Sequence, residues 1–232
     1  MPAEIVVLQD RAQLARAVSA RIARAVETAV AERQWCFLAM PGGPFVRPIY
    51  DELIGLQLPW SEVEFYFTDE RCVPVSHPAS NYGEAADRLL RNPRIGEHQL
   101  HRIDVDDSDS ERAADHYAEE LPEILDLTLL EVGADGHVAS LFPGSAAFAE
   151  SERRVLPVDV ARKPRRRITL APRALCASRE VLAGAQGADR ARAVQRALDE
   201  RGDPSEWPAR IARDGVWFLD AAAASLLEQT RA

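Results

Sequence analysis

Leu127-Thr128-Leu129-Leu130-Glu131-Val132 runs straight into Gly133-Ala134-Asp135-Gly136-His137. A short apolar run closed by glycine has the length of a strand buried on both faces, the kind found in parallel sheets covered by helices. The same alternation repeats outward. Ile5 to Leu8, Trp35 to Met40 and Val63 to Thr68 read as strands before it, and Arg167 to Leu170, Val181 to Ala183 and Val216 to Leu219 after it. Between them Leu14, Val18, Ile22, Val26 and Val30 share one helical face behind a plausible N-cap, Asp10. Further helical patterns cover Val46 to Leu58, Asn81 to Leu90, a stretch opened by Ser108 with Glu111 in capping-box spacing, Ala188 to Glu200 and Ala221 to Glu228. Strands alternating with helices predict an α/β layer fold with a mainly parallel sheet flanked by helices.

Composition narrows the function classes. The 232 residues suit one large domain or two closely joined ones, with 47% hydrophobic and 28% charged residues in ordinary globular proportion. Twenty-eight basic against thirty-seven acidic residues give a formal charge of −9, so a nucleic-acid-coated surface is not expected and an anion site must be a local basic pocket. No apolar run approaches the ~20 residues of a membrane span. The first residues lack the pattern of a secretory signal, and a cytoplasmic protein is expected. Cys36, Cys72 and Cys176 are far apart with no CxxC, so they read as small buried or half-buried hydrophobes and not as metal ligands. The run from Arg162 to Arg167 is the one dense basic patch, either a solvated face or the source of a pocket-facing arginine.

Three loops that follow strand candidates carry the chemistry. Pro41-Gly42-Gly43-Pro44 precedes a helix, where backbone N–H groups suit a phosphate and Arg47 adds charge; a plain turn is the alternative. Thr68-Asp69-Glu70-Arg71 sets two carboxylates and a guanidinium at a strand tip, with Ser80-Asn81 beyond it. Asp69 and Arg71 share one side if the strand continues, and a surface ion pair is the alternative. In the third loop His137 is the group suited to taking a proton near neutral pH. Asp135 is placed to orient it, and Gly136 allows close approach of a substrate; a structural histidine is the alternative. This loop supplies too few ligands for a metal.

In this order the three loops resemble the 6-phosphogluconolactonase family. The most specific pieces are Phe67-Thr68-Asp69-Glu70-Arg71-Cys72-Val73-Pro74 with Ser80-Asn81, and the Gly133 to Gly144 segment, close to a family pattern G-x-D-G-H-x-A-S-L-F-P. The resemblance implies a single Rossmann-like three-layer domain over residues 1–232, without cofactor or metal. It implies hydrolysis of the phosphosugar lactone 6-phospho-D-glucono-1,5-lactone by a monomer or small homo-oligomer. His137 would be the general base, with Asp135 and Asp69 counted beside it as catalytic. Gly42, Gly43, Arg47, Arg71, Asn81, Gly136 and Arg167 would hold substrate. A lactone hydrolyses in water unaided, so a base worth ~10²–10⁴ plus positioning suffices. Ser140 lacks the G-x-S-x-G elbow of a nucleophile.

The chain departs from that family in two places. The phosphate loop is usually S-G-G-S-T-P-like, whereas Pro41, Pro44 and Phe45 stand here, and Glu131 replaces a glycine ahead of Gly133. Phosphate must then lean on the remaining amides and on Arg47, Arg71 or Arg167. Two other readings compete. A glucosamine-6-phosphate deaminase shares the D-G-H loop but carries a carboxylate where this chain has Phe142. A non-catalytic sugar-phosphate sensor of the same fold is the second.

Overall fold

The computed structural model describes residues 3–105, 109–150 and 152–227. β1 (Glu4–Leu8) is followed by α1 (Arg11–Arg33), whose cap is Asp10 accepting from the Gln13 N–H at 2.8 Å. Leu14, Val18, Ile22 and Val26 are all buried along α1, with Val30 half-buried. β2 (Cys36–Met40), α2 (Arg47–Leu53), β3 (Val63–Phe67), β4 (Asp69–Arg71) and α3 (Asn81–Leu89) come next. Then follow α4 (Ser110–Glu120), β5 (Leu127–Glu131), β6 (Val155–Asp159), β7 (Arg166–Leu170), α5 (Pro172–Cys176), β8 (Glu180–Ala185), α6 (Ala191–Leu198) and β9 (Val216–Asp220).

Six strands form one sheet in the order β1-β9-β8-β5-β2-β3, parallel at every pairing. The first four residues of β5 are buried, as a central parallel strand requires. From β2 the chain moves to β3 on one side, and β5 then returns to the other side of β2. The strand order therefore reverses between β2 and β5, where open α/β sheets bind ligands. These two strands pair only at Leu38 with Leu127 and Ala39 with Thr128, then part toward their carboxyl ends. Right-handed crossovers put α1 and α2 on one face and α6 on the other, which makes three layers.

Several expectations are corrected. β7 is not a strand of the main sheet: with β4 and β6 it forms a separate antiparallel sheet. β4 and β6 were not expected, because a three-residue polar strand and a strand carrying Pro157 show no pattern. α2 stops at Leu53 instead of Leu58, and residues 188–190 are a 3-10 turn before α6. Residues 221–227 are turns, not helix, and Glu228 lies outside the described residues. Ser108 lies outside them too; the α4 cap is Asp109, accepting from the Glu111 and Arg112 N–H groups. Cys36 is buried and Cys72 half-buried as expected, but Cys176 is exposed. No helix among the described residues is long and apolar enough to cross a membrane.

Candidate active site

β5 delivers its chemistry through a tight loop. The Gly136 N–H donates to the Gly133 carbonyl at 2.9 Å, and the Gly133 N–H donates to the His137 carbonyl at 2.9 Å. Gly136 sits at φ +84°, a left-handed backbone that glycine adopts without strain. His137 Nδ1 is 2.5 Å from Asp135 Oδ1, which also accepts the His137 backbone N–H at 3.2 Å. The imidazole stacks on Phe142, with centroids 4.4 Å apart. No other protein group among the described residues bonds the ring, so Nε2 is left open for chemistry. Burial pushes the Asp135 carboxyl up, but its hydrogen bonds and attraction to His137 outweigh that and hold it below the usual carboxylate range. A carboxylate fixed on Nδ1 keeps that nitrogen protonated and turns Nε2 into an acceptor. Asp135 and Phe142 border an open cleft of about 1150 Å³ that is also lined by residues of β6 and by Arg162.

A buried polar network carries this loop. Asp69 Oδ2 accepts from Ser140 Oγ at 2.5 Å, and Oδ1 accepts from Asn81 Nδ2 at 3.0 Å. Ser140 Oγ also takes a hydrogen bond from Arg167 Nη1 at 3.3 Å. Arg167 is only 4% exposed, donates to the Pro164 carbonyl at 3.0 Å and lies 5.7 Å from the centre of the Phe142 ring. Asp69 thus ties β4, α3 and the histidine loop together. Its oxygens are engaged by protein, which makes it a positioning residue. Glu70 is a helix cap: it accepts from the backbone N–H groups of Arg71, Asn81 and Tyr82 and from Ser80 Oγ, at the start of α3. A carboxylate there complements the helix dipole.

The diglycine loop differs from the expectation. Gly43, at φ +94°, donates its N–H to Glu84 Oε2 at 3.1 Å, and the Arg47 guanidinium is ion-paired with the same carboxylate. The amide and the cation expected to hold phosphate are therefore already bonded within the protein. Gly42 is needed for another reason: a Cβ there would stand 1.8 Å from Asn81 Oδ1. Phe45 is buried with its ring over Gly184 of β8, where a Cβ would lie 2.0 Å from Cζ. Arg71 anchors Nη1 on the Ala79 carbonyl at 2.8 Å, and its Nε is buried without a protein partner. Gly136 is backed by Trp207, and its carbonyl accepts the Ala209 N–H at 2.8 Å, so its open face is limited.

The structure brings His137 and Asp135 together directly, and Asp69, Asn81 and Arg167 beneath them. Ser140 as a link and Arg190 in the loop after β8 escaped the sequence reading. Arg190 was findable, since it also follows a strand at the same end of the sheet. Among the described residues no group of three His, Cys, Asp or Glu side chains is placed to hold a metal ion.

The chain is similar to known proteins over most of its length. The family described as glucosamine-6-phosphate isomerases/6-phosphogluconolactonase matches residues 9–218. A 6-phosphogluconolactonase of Streptomyces coelicolor is 35% identical, over 98% of this chain and 95% of the relative. One of Rattus norvegicus is 35% identical, over 93% of this chain and 89% of the relative. The solved 6-phosphogluconolactonase of Trypanosoma brucei superposes with a TM-score of 0.87 at 27% identity, covering 97% of this chain and 98% of that one. A monomeric glucosamine-6-phosphate deaminase, at 18% identity and a TM-score of 0.85, shares the fold.

Proposed function

The chain belongs to the glucosamine-6-phosphate isomerase/6-phosphogluconolactonase family, and on that premise we propose that it hydrolyses 6-phospho-D-glucono-1,5-lactone to 6-phosphogluconate with His137 as general base. It is a lactone hydrolase of sugar-phosphate metabolism. The single observation that carries the assignment of the base is the 2.5 Å bond between Asp135 and His137 at the carboxyl end of β5, beside the strand-order reversal.

In the proposed reaction Asp135 holds the proton on Nδ1. His137 Nε2 takes a proton from a water as its oxygen bonds to the lactone carbonyl carbon. The tetrahedral intermediate collapses by breaking the bond to the ring oxygen. The imidazolium returns its proton to that oxygen, leaving one carboxylate and one hydroxyl. Arg167, packed on the same Phe142 ring as the imidazole, supplies positive charge near the developing oxyanion. The rest of the sugar is assigned to the crevice between the carboxyl ends of β2 and β5, on the side of the Gly42-Gly43 loop. Phe142 supports this reading over deamination, because it stacks on His137 where a deaminase needs a carboxylate. The protein acts as one domain, a cytoplasmic monomer or small homo-oligomer, without nucleic-acid or membrane partners.

The test follows loss of the phosphorylated lactone above its spontaneous rate. Wild-type protein accelerates it, and His137→Ala loses ~10²-fold or more in kcat while staying folded. Equal rates with and without wild-type protein would defeat the lactonase reading, and a fully active His137→Ala would defeat the base.

A further inference from the structure

Glu131 ends β5 where the family pattern has glycine, and its carboxylate reaches into the crevice between β2 and β5. Oε2 lies 3.8 Å from where a Cβ of Gly43 would stand, and Oε1 lies 3.5 Å from Arg190 Nη2. Arg190 is held in place by the Val132 and Gln186 carbonyls, each at 3.1 Å, and by Asp189. Arg71 and Arg11 also act on this carboxylate through their charge. One guanidinium thus pairs with this carboxylate at the carboxyl end of β5, and two more act on it by charge, a basic setting of the kind that receives an anion in an α/β crevice. That point already holds an anion belonging to the protein.

We propose that Glu131 is a specificity-determining residue: its carboxylate is a resident anion in the pocket that receives the anionic end of the substrate. A lactone carrying a phosphate dianion binds there only by displacing this carboxylate from Arg190 or by enduring its repulsion. A lactone bearing an uncharged hydroxymethyl group meets no such opposition. The pocket therefore separates phosphorylated from unphosphorylated lactones less than its arginines alone would. Burial pushes the Glu131 carboxyl up against the pull of the three arginines, so the site holds this charge under strain of desolvation. Glu84, which takes the Gly43 N–H, removes a further donor from the same place.

The inference rests on the lactonase reading for its kinetics but not for its binding test. Glu131→Gln, which keeps shape, and Glu131→Gly, which restores the family residue, are compared with wild type. Turnover is measured on 6-phosphogluconolactone and on unphosphorylated glucono-1,5-lactone, and binding of inorganic phosphate by calorimetry. We expect KM for the phosphorylated lactone to fall about tenfold or more in both variants, and to fall relative to KM for the unphosphorylated lactone. Inorganic phosphate tightens in parallel. Unchanged KM and unchanged phosphate affinity in Glu131→Gln would overturn the proposal, since that variant retains the packing. Should wild type turn over neither lactone, the lactonase reading fails while phosphate binding still decides the role of Glu131.

Discussion

The imidazole of His137 occupies the space a side chain at Gly133 would need: a Cβ on Gly133 would stand 2.0 Å from Nδ1. Asp135 Oδ1 lies 3.0 Å from that same point, so an added methyl crowds the ring and its carboxylate partner together. Gly133→Ala therefore pushes the base out of line without touching its chemistry. We expect kcat to fall by ~10²-fold, the scale of a lost general base, with a much smaller change in KM. Steady-state kinetics on the phosphorylated lactone check this, and a kcat within about threefold of wild type would show that the ring has other productive positions.

Asp135→Asn offers Nδ1 an amide in place of a charged acceptor. The imidazole then loses its fixed tautomer and the charge that stabilises its protonated form, so kcat should drop by about 10²-fold or more. The Asp135 carboxyl titrates below the usual carboxylate range, so its charge persists through mildly acidic pH. A depressed carboxyl contributes stability that is present above its unfolded pKa and lost as pH falls through its folded pKa. Asp135 is 46% exposed, so solvent screens that contribution. The contribution of Asp135 to rate and fold should therefore persist until the pH falls below the usual carboxylate range, which parallel rate and circular-dichroism titrations of wild type and Asp135→Asn resolve.

Local pattern carried most of the elements and one of the two halves of the site. The helical spacing of Leu14, Val18, Ile22 and Val26 and the leucine-rich run of β5 report burial directly. Asp135 and His137 were legible because both lie in one five-residue loop. Asp69 and Arg167 were picked out singly, but their linkage through Ser140 was not legible, since the bonds joining them span 71 and 27 residues and depend on how a small antiparallel sheet docks on the main one. The run 221–227 misled because alanine and leucine favour helix whatever the context, while Asp220 fixes that turn by accepting the Gly187 and Ala223 N–H groups.

Ser140→Ala distinguishes a positioning hydroxyl from a nucleophile. It strips Asp69 Oδ2 of its donor and Arg167 Nη1 of an acceptor in a fully buried place. An unsatisfied buried polar group costs about 1–3 kcal/mol, which lowers Tm by roughly 2–4 °C per kcal/mol in a domain of this size. Turnover should fall only moderately and show no burst or trapped ester. Complete loss of activity with an unchanged Tm would instead make Ser140 the attacking group.

Glu131→Gln tests the electrostatics of the crevice through stability alone. Burial dominates the upward displacement of its carboxyl, and Arg190, Arg71 and Arg11 only partly oppose it. For a group whose folded pKa lies above its unfolded one, the favourable contribution is complete below the unfolded pKa and disappears as pH rises through the folded one. Wherever Glu131 is ionised in the folded protein its charge is therefore a net cost to folding, and an uncharged isostere removes that cost. We expect Glu131→Gln to melt higher than wild type at neutral pH, by roughly 2–4 °C for each kcal/mol recovered. The difference should shrink as the pH is lowered into the acid range, where the wild-type carboxyl takes up its proton. A variant that melts lower at neutral pH would mean that the pull of the arginines exceeds the desolvation of the carboxylate, with Glu131 acting as a structural ion pair.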